Sequence, residues 1–315
     1  MQAPSLQLAS PAKINLFLNI LERRADGFHN LETLMTPLAL CDTLAFEERA
    51  SGFTVECAAP DVPADDRNLV VKAAKKLAET FHVNKGAHIQ IHKQIPAGGG
   101  MGGGSGNAAV TLRALNQLWQ LNAPMEKLHA IAAQIGSDVP FFLYNSPALC
   151  KGRGEIVEPL KLGVELGVLL VNPGFGIPTQ WAYNALATER KFAKGENSTP
   201  PYPSNAPTLQ RSNAVPLHDF LSALRSHDAP AIQRGLINSL ESPCLKKYPL
   251  LALLKDALLR HGALGAMMTG SGSTVFGLTR NKSEAAVLME KMRAEFGPTL
   301  WMCATKTVDA TSGNR

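Results

Sequence analysis

Between residues 95 and 112 the chain reads IPAGGGMGGGSGNAAVTL, and every position from 98 to 106 except Met101 and Ser105 is glycine. Glycine lets backbone amides approach a ligand with no Cβ in the way, and successive amides aimed at one point form a nest for an anion. A helix that begins behind such a run adds about half a positive charge from its dipole, so a phosphate is the ligand the pattern suits. The run lacks the Gly-Lys-Ser/Thr ending of a Walker A loop. It also lacks the early strand and ribose-binding acidic residue of a dinucleotide fold.

A cradle must be held at both ends, and the flanking sequence does this. Residues 86–95, GAHIQIHKQI, alternate Ile89, Ile91 and Ile95 with polar partners as a strand does, whereas from Asn107 onward Leu112, Leu115 and Leu118 share one helical face. A flexible linker would instead have polar flanks and separate two folded units. Upstream, runs at 6–21 and 33–46 predict two strands joined through the turn-prone RRADG, and a helix beginning at Asn68 delivers the chain into the strand at 86–95. A helix from Pro124 runs into Gly136-Ser137-Asp138-Val139-Pro140, a tight turn in which Asp138 taken alone reads as a cap or turn residue.

Beyond residue 149 come strands within 151–160 and 164–173, then a helix introduced by Ile177-Pro178-Thr179. Helices follow at about 217–227, 229–240 and 248–261, strands at 263–270 and 273–279, a helix from Ser283 and a last strand at 299–308. This mixture predicts an α+β fold in both halves, with domains at 1–160 and 161–315. The stretch 194–216, rich in Pro, Ser and Asn, reads as a mobile excursion.

With 315 residues, 45% of them hydrophobic, the chain is long enough for about two domains with a sizeable core. No window approaches the roughly 18 apolar residues of a membrane span, and the N-terminus lacks a signal or organelle-targeting pattern, so a cytoplasmic protein is expected. The net charge of +5 is spread over scattered pairs such as Arg23-Arg24 and Lys246-Lys247, which argues against nucleic acid as a partner and suits a small anionic ligand. The five cysteines are odd in number and far apart, without zinc-like spacing, and read as free thiols. Monomer and homodimer are equally compatible with the sequence.

The segment 96–109, PAGGGMGGGSGNAA, resembles the nucleotide loop of the galactokinase, homoserine kinase, mevalonate kinase and phosphomevalonate kinase superfamily, the GHMP kinases. Residues 11–34 (PAKINLFLNILERRADGFHNLETL), 135–142 (IGSDVPFF) and 268–278 (MTGSGSTVFGL) resemble the branch acting on 4-diphosphocytidyl-2-C-methyl-D-erythritol in non-mevalonate isoprenoid biosynthesis. The resemblance implies a two-domain fold with the active site in the interdomain cleft. It further implies a ferredoxin-like second domain and phosphoryl transfer from ATP, with Mg2+, to the acceptor's 2-hydroxyl. Within the same superfamily, a kinase of homoserine or mevalonate type is the alternative, and from another class a nucleotide-binding regulator without catalysis. The ERRADGFHNLETL segment argues against the first, and the joint presence of Lys13 and Asp138 against the second.

By this resemblance Asp138 takes the acceptor proton, while Lys13 keeps that carboxylate ionised and steadies the hydroxyl or γ-phosphate. Pro96, Ala97, Gly98, Gly99, Gly100, Met101, Gly102, Gly103, Gly104, Ser105 and Gly106 form the ATP loop, with Ser105 a candidate contact for phosphate or magnesium. Asn15, Phe28, His29, Thr179 and Tyr183 are expected at the cytidine end, where aromatic rings can sandwich a pyrimidine and an imidazole can read its edge. Read alone, His29 is a loop histidine and Tyr183 a packed helix residue. Two positions depart from the family pattern: Phe28 stands where a tyrosine is common, and Gly106 where a second serine is common.

Overall fold

A computed structural model of the chain describes residues 5–193 and 215–309. Of the excursion expected at 194–216, all but the last two positions lie outside the described residues. Two long strands open the fold, β1 (Ser5–Arg23) and β2 (His29–Arg49), paired antiparallel from Ser5↔Glu47 to Arg23↔His29. Period-two alternation gives β1 two different faces. Ala12, Ile14 and Leu16 enter a hydrophobic core, while Lys13 and Asn15 turn the other way and line a cleft.

The chain continues through β3 (Phe53–Cys57), α1 (Leu69–Phe81) and β4 (Gly86–His92), with β3 parallel to β4 and β4 antiparallel to β2. Asn68 caps α1 by accepting a hydrogen bond from the Val70 amide at 3.0 Å, the role an N-terminal asparagine is suited to. Three helices then follow, α2 (Gly103–Leu118), α3 (Met125–Ile135) and α4 (Val139–Tyr144). A hairpin of β5 (Ala148–Lys151) and β6 (Ile156–Pro159) extends the sheet from the other half of β2. Phe46, Leu77, Ile89, Leu112, Leu115, Phe141 and Phe142 form the core between these helices and the sheet.

The second half runs β7 (Gly167–Asn172), α5 (Thr179–Ala193), α6 (Leu217–Ser226), α7 (Ala229–Gly235), β8 (Ile237–Asn238), α8 (Glu241–Lys247), α9 (Pro249–Arg260), β9 (Gly265–Met268), β10 (Val275–Thr279), α10 (Lys282–Phe296) and β11 (Trp301–Lys306). Its four-stranded sheet is antiparallel in the order β11-β7-β10-β9. The α+β class read from the sequence is the class observed.

Several elements differ from the sequence reading. The helix behind the glycine run begins at Gly103 rather than Asn107, so half of the run is helix. The short α4 and α8 fall below the length at which periodicity is legible. The single helix expected at 229–240 is broken after Gly235, where a Cβ would stand 2.1 Å from the Phe220 ring. Asn238 is then held extended, its amide donating to the carbonyls of Met268 and Gly270 at 2.8 Å each.

The two halves are not separated by an empty seam. Ile14, Leu16 and Leu38 of the first share one buried cluster with Leu162, Val168, Leu170 and Phe276 of the second. The two-residue β8 pairs in parallel with β1 at Phe17↔Ile237. The floor of the cleft is therefore built by both halves at once.

Candidate active site

Gly98, Gly100 and Gly102 have φ of 67°, 78° and 72°, the left-handed region that a side chain resists. Every second residue of the loop is thus turned over before α2 begins, and α2 has no side-chain cap, which leaves its first amides for a ligand. Contact from behind reinforces the demand for glycine. A Cβ on Gly100 would lie 2.3 Å from the Thr269 carbonyl oxygen, and one on Gly99 would lie 2.8 Å from both Asn172 Nδ2 and Thr274 Oγ1. The amide of Thr274 donates to Gly99 O at 3.2 Å. The C-terminal glycine motif is accordingly the back wall of the first glycine loop.

The loop divides two cavities. One, of about 310 Å3, is lined by residues 96–105 together with Asp61, Arg67 and Lys93. The other, of about 530 Å3, contains Lys13, Asn15, Phe28, His29, Asp138, Thr179 and Tyr183. Gly98, Gly100, Gly102 and Ser105 belong to both. A ligand in each would meet the other across these four residues.

At that meeting point Lys13 Nζ stands 3.6 Å from Asp138 Oδ2, with Lys13 only 3% exposed and Asp138 38% exposed. A buried ammonium requires partners. Lys13 has Asn15 Oδ1 at 2.6 Å, and Asn15 is itself fixed by donating Nδ2 to Thr33 Oγ1 at 2.8 Å. Thr269 closes the network from the other half, donating to Asn15 Oδ1 at 3.2 Å and accepting from the Asn15 amide at 3.1 Å. Asp138 occupies the cap position of α4 yet makes no capping hydrogen bond, so its carboxylate is available to the cleft.

The smaller cavity rests on a buried carboxylate. Asp42 is fully buried, pairs with Lys93 Nζ at 2.6 Å, and accepts from the amides of Gln94 and Ile95 and from Asn107 Nδ2. This node ties the end of β4 and the body of α2 to β2, anchoring both ends of the glycine loop to one strand. Such a carboxylate is strongly held because each lone pair has a donor.

In the larger cavity, the His29 and Tyr183 rings lie 5.3 Å apart and tilted by 42°. Burial, with the charges of Arg23 and Arg190, holds the His29 pKa below its ordinary 6.5, which favours a neutral imidazole. Burial, and secondarily the charge of Asp138, pushes ionisation of the Tyr183 phenol upward. Tyr183 packs on the second-half core and also lines the cleft. Phe28 is 49% exposed, and Thr179 shares a 3.0 Å hydroxyl contact with Ser271.

Gly106 stands apart from the other loop residues and lines neither cavity. A Cβ there would point into β1, 2.8 Å from Ser10 Oγ and 3.1 Å from the Pro11 carbonyl. A hydroxyl at this position would face β1 rather than the cleft. Ser10 Oγ, correspondingly, has no hydrogen-bond partner among the described residues. Sequence reasoning passed over Asp42, Lys93, Thr269 and Arg153. Only Thr269 lay inside a recognised motif, and Asp42 is 51 positions from its partner Lys93.

Comparison with known proteins agrees with this geometry. Residues 68–146 match the family described as GHMP kinases N terminal domain, and residues 220–298 match GHMP kinases C terminal. Fold and site together define a kinase of the GHMP class. A 4-diphosphocytidyl-2-C-methyl-D-erythritol kinase of Synechococcus sp. (strain JA-2-3B'a(2-13)) is 39% identical over 92% of this chain and 90% of its own length. One of Thermodesulfovibrio yellowstonii is 40% identical over 87% and 90%. The crystal structure of a 4-(cytidine 5'-diphospho)-2C-methyl-D-erythritol kinase superposes with a TM-score of 0.76 at 31% identity, covering 96% of this chain and all of that one. The L. major mevalonate kinase shares the fold alone, with a TM-score of 0.73 at 16% identity over 99% of this chain and 98% of that one. The chain belongs to the 4-diphosphocytidyl-2-C-methyl-D-erythritol kinase family of GHMP kinases.

Proposed function

We propose that the chain transfers the γ-phosphoryl group of ATP to the 2-hydroxyl of 4-diphosphocytidyl-2-C-methyl-D-erythritol, giving the 2-phosphate and ADP in isoprenoid precursor synthesis. The observation that carries this reading is the Lys13–Asp138 pair at the junction of two cavities that share one glycine loop. ATP lies with its phosphates on the amides of residues 98–105 and the start of α2. The acceptor lies in the larger cavity, its cytosine between the aromatic groups Phe28 and Tyr183 and read by His29. The names of the relatives support this choice of acceptor.

In the transfer, the 2-hydroxyl oxygen bonds to the γ-phosphorus as the bond to the β–γ bridging oxygen breaks, and its proton passes to Asp138. Lys13, oriented by Asn15 and Thr269, fixes the carboxylate and counters charge on the moving phosphoryl group. Exclusion of water and alignment supply much of the rest.

The residues present fit a magnesium ion that arrives with the nucleotide. The described residues contain no group of three acidic, histidine or cysteine side chains able to cage a metal. Ser105 and Asp138 do offer hard oxygen ligands beside the loop, and magnesium usually completes its shell with phosphates and water. When bound, the ion neutralises phosphate charge and polarises the γ-phosphoryl group.

The five cysteines are all unpaired, which supports a reducing cytoplasmic setting, and no helix among the described residues is long and apolar enough to cross a membrane. Phosphorus NMR of the product formed from Mg-ATP and the cytidine-linked acceptor tests the reading, with mevalonate and homoserine in parallel. A new phosphomonoester signal on the first acceptor alone is expected. Turnover of either of the others in its place overturns the assignment.

A further inference from the structure

Among the described residues, the acceptor cavity is lined by three cationic side chains, Lys13, Arg23 and Arg153, against the single carboxylate of Asp138. Lys13 is committed to Asn15 and Asp138. Arg153 is held only loosely: Nη2 donates to Ala133 O at 3.4 Å, and Nε is 3.8 Å from Glu155 Oε1. Its Nη1 has no hydrogen-bond partner among the described residues. A guanidinium with an open edge in a cleft is suited to an anion.

The turn carrying Arg153 is itself fixed between two parts of the site. On one side, Gly152 O accepts from the Leu31 amide at 2.7 Å, just beyond the Phe28-His29 pair. On the other, Gly154 has φ 117° and leaves a Cβ only 3.2 Å from Ser137 O, next to Asp138. From this turn the Arg153 guanidinium carbon reaches 4.8 Å from the Phe28 ring centroid. Phe28 lacks the hydroxyl that a tyrosine would have, so no side-chain hydrogen bond can orient it. Contact with a planar cation orients a bare ring without one.

We infer that Arg153 is a specificity-determining residue for the acceptor: its guanidinium backs the Phe28 ring for stacking on cytosine, while its open N–H edge takes the acceptor's diphosphate. The inference rests on the acceptor proposed above. Only arginine suits both contacts at once, because its charge is planar and its donors lie in the plane of the fork. A lysine retains the charge and loses the plane.

Titration calorimetry of the full chain with cytidine 5′-diphosphate and with cytidine tests both contacts. Arg153→Gln is expected to weaken the diphosphate by about tenfold or more, the loss of one charge-assisted hydrogen bond, and cytidine by about threefold through the lost ring contact. In turnover the same variant raises the acceptor KM and leaves the ATP KM unchanged. Arg153→Lys is expected to restore most of the diphosphate affinity while cytidine stays weak. Equal losses for the two ligands overturn the diphosphate contact, and unchanged cytidine affinity in both variants overturns the ring contact. Should Arg153→Gln fail to fold, Arg153→Lys decides alone: wild-type affinity for cytidine, or diphosphate binding as weak as cytidine's, overturns the inference. A wild-type chain that ignores the cytidine acceptor refutes the function, whereas normal turnover by Arg153→Gln refutes only the role of Arg153.

Discussion

The two lobes of the cleft are built on opposite principles. The smaller lobe, proposed above to take ATP, is a stretch of consecutive backbone, residues 96–105, shaped by alternate left-handed glycines and pressed from behind by Thr269, Asn172 and Thr274. The larger lobe, proposed above to take the acceptor, is assembled from side chains on β2, α5, the β5–β6 turn and the loop after β1, and its Phe28 is half open. A ligand that every member of a superfamily shares can be held by main chain, which has one geometry and no choice of side chain. A ligand that distinguishes one branch must be read by side chains, which can change one at a time without disturbing the rest. Lys13 and Asp138 line the larger lobe, beside the glycines that the two lobes share.

The largest effect is expected where the lobes meet. Asp138→Asn keeps the size of the side chain and removes its ability to take a proton, and should lower kcat by about 10²–10⁴-fold with nucleotide affinity retained. Near-normal turnover would make Asp138 an orienting group and shift the chemistry onto Lys13 and the phosphate cradle. Next comes Gly100→Ala, which places a methyl against the Thr269 carbonyl at 2.3 Å in a left-handed backbone. It should cost about 1–3 kcal/mol of stability, read as a lower Tm, and raise the ATP KM while cytidine binding stays within twofold. Equal damage to both ligands would mean that the lobes are mechanically one unit.

The smallest effect is a pH dependence confined to the acceptor lobe. His29 has its pKa held below 6.5, so the folded protein keeps it neutral above that lowered value and resists protonation just below 6.5. As the pH falls through the lowered value the ring gains a proton beside Arg23 and Arg190, and the acceptor KM should rise about threefold with the ATP KM flat. His29→Gln should remove that acid limb. An ATP KM that rises in parallel would assign the titration to another group.

What the sequence determined by itself was local in the chain. The placement of the glycine loop was legible because it is contiguous and flanked by a strand and a helix whose periodicities, at Ile89, Ile91 and Leu112, Leu115, are plain. The resemblance of four segments gave Lys13, Asp138, Phe28 and His29 their names. The tertiary structure decided which groups meet. It set Thr269 on Asn15 across 254 positions, Lys93 on Asp42 across 51, and the Arg153 guanidinium on the Phe28 ring. It also turned Gly106 toward β1, although Gly106 belongs to the same glycine run as its neighbours. The reason is physical: glycine content and periodicity follow from backbone sterics over a few residues, whereas the partner of a buried charge is selected by how separate elements pack.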